Sequence, residues 1–192
     1  MATNKPVECE EIFGDLNAAG ENQKWLVVRT KPRQEKKLAN YAFKARINYY
    51  LPLTDSTRIY QNRKVHFTKP LFPGYVFAKC TPEERRALTI TGHTAHFLKV
   101  INEAELLDEL KQIYIGTKKG GDFRNARFLE HGTKVIITSG PYEGLTGYVE
   151  NQKDITKVIL QVNMLRQAVA VSVKSNQIKV IRQKFDDNED DL

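Results

Sequence analysis

Cysteine is nearly absent from this chain: Cys9 and Cys80 are the only two among 192 residues. They lie far apart, and neither has a Cys or His at metal-ligand spacing, so neither a disulfide framework nor a zinc finger organises the fold. Both are read as spectators. No apolar run approaches the ~20 residues that a membrane span needs, and the early segment Glu8-Cys9-Glu10-Glu11 is acidic where a signal peptide is apolar. The expectation is a cytoplasmic protein with no membrane partner.

Enzyme signatures are missing too. There is no G-x-x-x-x-G-K-[ST] phosphate loop, no G-x-S-x-G elbow and no H-E-x-x-H helix. His93 and His96 are close in sequence, but Gly92 and Thr94 oppose a helix there and no third ligand stands nearby, whereas a usable zinc site takes about three protein ligands. The pair Glu83-Glu84 is accounted for by helix capping. No catalytic activity, metal or cofactor is expected.

What the chain does hold is positive charge, concentrated in its middle. The formal net charge is +7, yet residues 1–23 carry one lysine against five acids, and residues 183–192 set Lys184 against Asp186, Asp187, Glu189, Asp190 and Asp191. The body between them is therefore strongly basic, most of all over residues 24–115. Such a field favours polyanionic partners and speeds encounter with them. A composition 41% hydrophobic and 9% aromatic belongs to a globular protein.

Residues 1–23 lack periodicity and read as a disordered extension. The run Lys24–Thr30 is β-rich and stops at Pro32; Pro32 then suits a first helical position, with Arg33–Arg46 as a basic amphipathic helix. Asn48–Leu53 is strand-like. Thr57–Tyr60 and Lys64–Phe67 flank Gln61-Asn62-Arg63 as a hairpin arm. Pro73-Gly74 precedes the apolar strand Tyr75–Ala78. Thr81-Pro82-Glu83-Glu84 has the form of a capping box, and Asn102–Glu105 repeats it ahead of Leu106, Leu110 and Ile113. An α+β domain over 24–115 results. Residues 116–128, centred on Lys118-Lys119-Gly120-Gly121-Asp122, read as a flexible linker. Short strands at 134–138, 148–151, 157–162, 168–173 and 178–181 then predict a small all-β barrel over 129–182, followed by a disordered acidic tail, 183–192.

Two stretches are informative beyond this outline. Lys69–Phe77 holds two prolines and a glycine around aromatics. Gly132–Glu150 carries alternating β residues into a Gly-Pro turn, where Gly144 and Gly147 permit positive φ or close backbone approach, and the pattern puts Tyr142 and Leu145 at the tip. The second stretch resembles a KOW motif. Trp25–Pro32 with its basic helix, Leu51-Pro52-Leu53 and Pro70–Phe77 resemble the N-terminal domain of NusG-type transcription elongation factors. The resemblance spans residues 24–182, with both motifs in order and a linker between them.

That resemblance implies a four-stranded antiparallel sheet with flanking helices, tethered to an SH3-like KOW barrel, and a monomer that works without catalysis. It implies a partner, RNA polymerase, gripped at the clamp helices of its largest subunit through Leu51, Pro52, Phe72, Pro73, Tyr75 and Phe97, so that pausing is suppressed. Arg58, Arg63 and Lys64 are then placed toward upstream or non-template DNA, with Arg85 and Arg86 across the cleft. Pro141, Tyr142 and Leu145 match the tip through which relatives recruit Rho or a ribosomal protein. Where the housekeeping factor has a glycine turn, this chain has Asn163–Gln167 without one. Together with Pro70–Pro73 and Ser172–Asn176, this looks more like the RfaH-type specialised antiterminators of particular operons than the general factor. The missing glycine and the helix-tolerant segment Met164–Ala168 raise a second fold for this region, which the surrounding Val and Ile oppose. An RNA- or ribosome-binding KOW protein is the rival reading, because ribosomal proteins carry that motif as well.

Overall fold

A computed structural model of the chain describes residues 7–60, 63–120, 123–150 and 156–181. It divides into two compact units, Met1–Thr117 and Lys118–Leu192.

The first unit is built on an antiparallel sheet of five strands in the order β1-β3-β6-β2-β7. These are β1 (Ile12–Phe13), β2 (Lys24–Thr30), β3 (Asn48–Tyr50), β6 (Tyr75–Cys80) and β7 (Thr94–Lys99). Helices α1 (Glu35–Lys44), α2 (Pro82–Ile90) and α3 (Glu103–Lys118) accompany them. The central strands β2 and β6 carry apolar residues on both faces, Trp25–Val28 and Val76–Ala78, because both faces are covered. Alternation sends Val28, Val76, Ala78 and Cys80 to one face, where they pack on Leu38, Ala39 and Ala42 of α1 and Leu88 of α2. Trp25, Val27 and Phe77 fall on the other face with Tyr50, whose ring meets Tyr114 of α3 edge-on at 5.8 Å. Both expected helix starts are present. Thr81 Oγ1 accepts from the Glu84 N–H while Glu84 Oε2 accepts from the Thr81 N–H, and Asn102 Oδ1 accepts from the Glu105 N–H at 3.1 Å.

Four expectations need correction. The segment 7–23 is not a disordered extension: it is a strap docked on the sheet. Ile12 and Phe13 pair with Tyr50 and Tyr49 as the fifth strand, Leu16 is buried, and Trp25 Nε1 donates to the Asn17 carbonyl. Helix α1 begins at Glu35 because Arg33 turns at φ +61, where the Lys31 N–H bonds back to the His93 carbonyl; Pro32 therefore lies outside the helix. The linker is shorter than residues 116–128, since α3 runs on through a buried Gly116 to Lys118 and Arg124–Ala126 (β8) pairs with a strand of the second unit. The hairpin arm is longer: β4 (Leu53–Tyr60) and β5 (Arg63–Pro70) pair residue for residue from Leu53↔Pro70 to Tyr60↔Arg63 as a sheet of their own. Gln61 and Asn62, Gly121 and Asp122, and the acidic tail lie outside the described residues.

The second unit is a six-stranded antiparallel sheet in the order β13-β9-β10-β11-β12-β8. Its further strands are β9 (Thr133–Ile137), β10 (Thr146–Val149), β11 (Lys157–Val162), β12 (Gln167–Ser172) and β13 (Ile178–Val180). The two glycines singled out in the sequence serve different ends. Gly144 sits at φ +87 in the β9–β10 turn, whereas a Cβ on Gly147 would lie 2.7 Å from the Ile159 carbonyl oxygen. Between β11 and β12, where no glycine is available, Arg166 itself takes the left-handed conformation at φ +50. Such a backbone costs roughly 1 kcal/mol; the Arg166 guanidinium lies over the Phe128 ring and pairs with Glu130. Met164 lies in a single 3-10 turn and Ala168 in β12, so this segment is not α-helical here.

Candidate functional site

The six apolar residues expected to share a pocket do not converge on one surface. Leu51 is 0% exposed and belongs to the core under α1 and α2. Pro52 is buried beside it. Phe72 is 1% exposed, with its ring edge-on to Phe77 at 6.5 Å. Phe97 is half-buried against the α1/α2 side of the sheet. Pro73 is exposed, and half-buried Tyr75 falls on the opposite face of the sheet. Leu51 therefore belongs to the core on the other face, and Phe72 backs the Tyr75 side only through its contact with Phe77.

Tyr75 shares the α3 side of the sheet with Phe77, two residues along β6. Behind it Phe77 lies 6.4 Å from Tyr50, which leads to Tyr114. Beside it stands a residue the sequence reading passed over. Arg29 pairs with Tyr75 across β2 and β6 and holds its guanidinium 4.6 Å from the ring centre. The signal was present, because an arginine interrupts the otherwise apolar Leu26-Val27-Val28. Phe77 and Tyr50 were likewise missed, as ordinary members of strand runs.

The hairpin carries the nucleic-acid candidates, and its register sorts them. Arg58 and Arg63 share one face with Val65, Phe67 and Lys69, and Arg58 lies 5.4 Å over the Phe67 ring. Lys64 is on the other face with His66, whose Nδ1 is 3.0 Å from Thr57 Oγ1. All three expected cations are exposed. The arm is braced at its base, where Lys36 Nζ of α1 donates to Thr68 Oγ1 at 2.8 Å. Arg85 and Arg86 on α2 are exposed as well, and Arg85 stacks over Phe97 at 4.9 Å.

At the β9–β10 turn, Pro141 is exposed and Tyr142 half-buried, but Leu145 is 1% exposed. Its expected place at the tip is corrected: the Leu145 N–H bonds to the Tyr142 carbonyl, turning the side chain inward. Burial, the largest cause, pushes the Cys9 and Cys80 thiols each up to about 11, which leaves them protonated at neutral pH. Among the described residues no group of three or more His, Cys, Asp and Glu is placed to hold a metal ion, and no helix is long and apolar enough to cross a membrane.

Residues 23–112, the sheet unit with its hairpin, match the family model described as "Transcription termination factor nusG". Over this unit the chain is similar to NusG-type transcription factors. Curated relatives extend the similarity beyond that unit. Proteins named "Transcription termination/antitermination protein NusG" from Rickettsia typhi and Rickettsia felis are 23% and 24% identical, each covering 88% of this chain and 97% of the relative. A solved structure described as "Crystal Structure of MjSpt4:Spt5 complex conformation B" is similar over 85% of this chain and all of that one, at 17% identity and a TM-score of 0.27.

Proposed function

We propose that this factor binds the clamp helices of the largest RNA polymerase subunit through the Tyr75 end of its sheet, suppresses pausing, and acts on particular operons in the cytoplasm. The observation that carries the reading is the half-exposed Tyr75 beside exposed Pro73, backed by the buried rings of Phe72, Phe77 and Tyr50. Aromatic anchors backed by a rigid core are the side chains that dominate protein interfaces. The hairpin face with Arg58, Arg63 and Lys69 meets upstream or non-template DNA, mainly at phosphates. The second unit serves as the KOW domain, and Pro141 and Tyr142 at its turn recruit Rho or a ribosomal protein.

Specialisation is supported by Pro70–Pro73 and by the glycine-free Asn163–Gln167 turn. The general housekeeping role is the second reading, favoured by the name the Rickettsia relatives carry. In vitro transcription with the cognate polymerase tests the proposal: the protein shortens pauses and increases read-through of terminators. An unchanged elongation profile would refute it.

A further inference from the structure

We infer that Arg29 takes a carboxylate of the bound protein partner, so that docking at the Tyr75 end of the sheet is ionic as well as aromatic. This rests on the polymerase-binding reading above.

The α3 side of the sheet holds two cations near opposite ends of the β2–β6 pair, and they are treated differently. Lys79 is buried, packs 5.8 Å over the Trp25 ring, and has its counter-ion within the chain: Asp15 of the strap, at 2.7 Å. Arg29 is half-buried, packs over Tyr75 at 4.6 Å, and among the described residues forms no ion pair. A cation partly withdrawn from water and left without a counter-ion is costly once a partner seals the rest of its surface. Docking here is favourable only when the partner brings the missing negative charge.

The geometry also selects the kind of charge. A guanidinium offers a planar fork of N–H donors, which matches a carboxylate in a bidentate pair. Around it the face is apolar and aromatic, the composition of a protein-interface anchor, whereas phosphate tracking takes several cations along a groove. Lys79 cannot join Arg29 in that role, because Asp15 already neutralises it.

The test measures binding of full-length protein to cognate RNA polymerase over a range of salt, for wild type, Arg29→Gln and Arg29→Lys, with thermal melting as a folding check. Arg29→Gln is expected to bind about tenfold more weakly and with a shallower salt dependence, at an unchanged melting temperature. In R29K, a zero-length carbodiimide, which joins amines to carboxylates, is expected to couple position 29 to an acidic polymerase residue identified by mass spectrometry. Equal affinity of Arg29→Gln and wild type overturns the inference and leaves the polymerase reading intact. Loss of binding to a single-stranded DNA oligonucleotide with polymerase affinity retained also overturns it, making Arg29 a phosphate contact. Wild type that fails to bind polymerase removes both.

Discussion

The indole N–H of Trp25 donates to the main-chain carbonyl of Asn17 at 2.9 Å, so the largest side chain of the sheet core is closed off by the segment that precedes it. Residues 7–23 are thereby part of the folding unit. Leu16→Ala is expected to cost about 2 kcal/mol, and deletion of residues 1–18 more. Trp25 is the chain's single tryptophan, so its fluorescence reports on this site during urea unfolding. A deletion that left both the emission maximum and the midpoint unchanged would show the strap to be dispensable.

The strap also carries a charge contact. The Lys79 hydrogen bond, followed by the Asn17 N–H, holds the Asp15 carboxyl below its ordinary 3.8. A carboxylate whose folded value is depressed contributes stability that is fully present above the ordinary value and is lost as pH falls through the folded one. Asp15→Asn should therefore lower the melting temperature at pH 7 and lose that effect as the pH falls from the ordinary value through the folded one. Because Asp15 is half-exposed, water screening limits the effect to about 1 kcal/mol. Calorimetry across that pH range tests the sign.

Protonated thiols are poor nucleophiles. With both thiols pushed up to about 11 by burial, Cys9 and Cys80 should react slowly with an aromatic disulfide at pH 8 in the native protein. Both should react within seconds after denaturation. Rapid modification of Cys80 in native protein would contradict its burial at 3% exposure.

The β9–β10 turn separates packing from recognition. Leu145→Ala should destabilise the second unit by about 2–4 kcal/mol, whereas Tyr142→Ala should change stability by less than about 0.5 kcal/mol and still weaken binding of the recruited partner. Chemical denaturation combined with a pull-down of Rho and of the small ribosomal subunit separates the two. Equal stability losses would mean that Tyr142 is structural.

On the hairpin, Arg58→Ala with Arg63→Ala should weaken DNA binding and reduce the salt slope by about two. Lys64→Ala, on the opposite face, should have the smaller effect. A larger effect of Lys64 in salt-dependent titrations would reverse the assignment of faces.

Much of the first unit was legible because its signals are local. The Thr81–Glu84 box and the Asn102 cap fix helix starts with side chains a few residues apart, and β2 runs over the residues its apolar pattern marks. The strap was illegible for a physical reason: it docks largely through its main chain. The carbonyls of Glu8, Glu10, Glu11 and Asn17 accept from Asn40, Tyr49, the Leu51 N–H and Trp25, and a carbonyl is the same in every residue. The site was half legible. Pro73-Gly74-Tyr75 stood out, but period two alone did not show which side of the sheet α3 covers, so Phe97 was grouped with Tyr75 although they face opposite ways. Leu145 was misplaced because a turn's tip and its inward-facing neighbour differ by one rotation of the backbone.

The hairpin has a consequence of another kind. Strands β4 and β5 pair only with each other among the described residues, so beyond their base, where the Leu53 N–H donates to Glu11 Oε1, each leaves a row of N–H and C=O groups without a strand partner. Open rows of this kind template the addition of further strands, and lysine and arginine are the usual deterrent. Ile59 and Val65 are already exposed between the cations. Arg58, Arg63, Lys64 and Lys69 thus keep copies of the arm from zipping together, and every charge removed to study nucleic-acid contact also loosens that safeguard. The arm's solubility and its grip on a polyanion are set by the same four side chains.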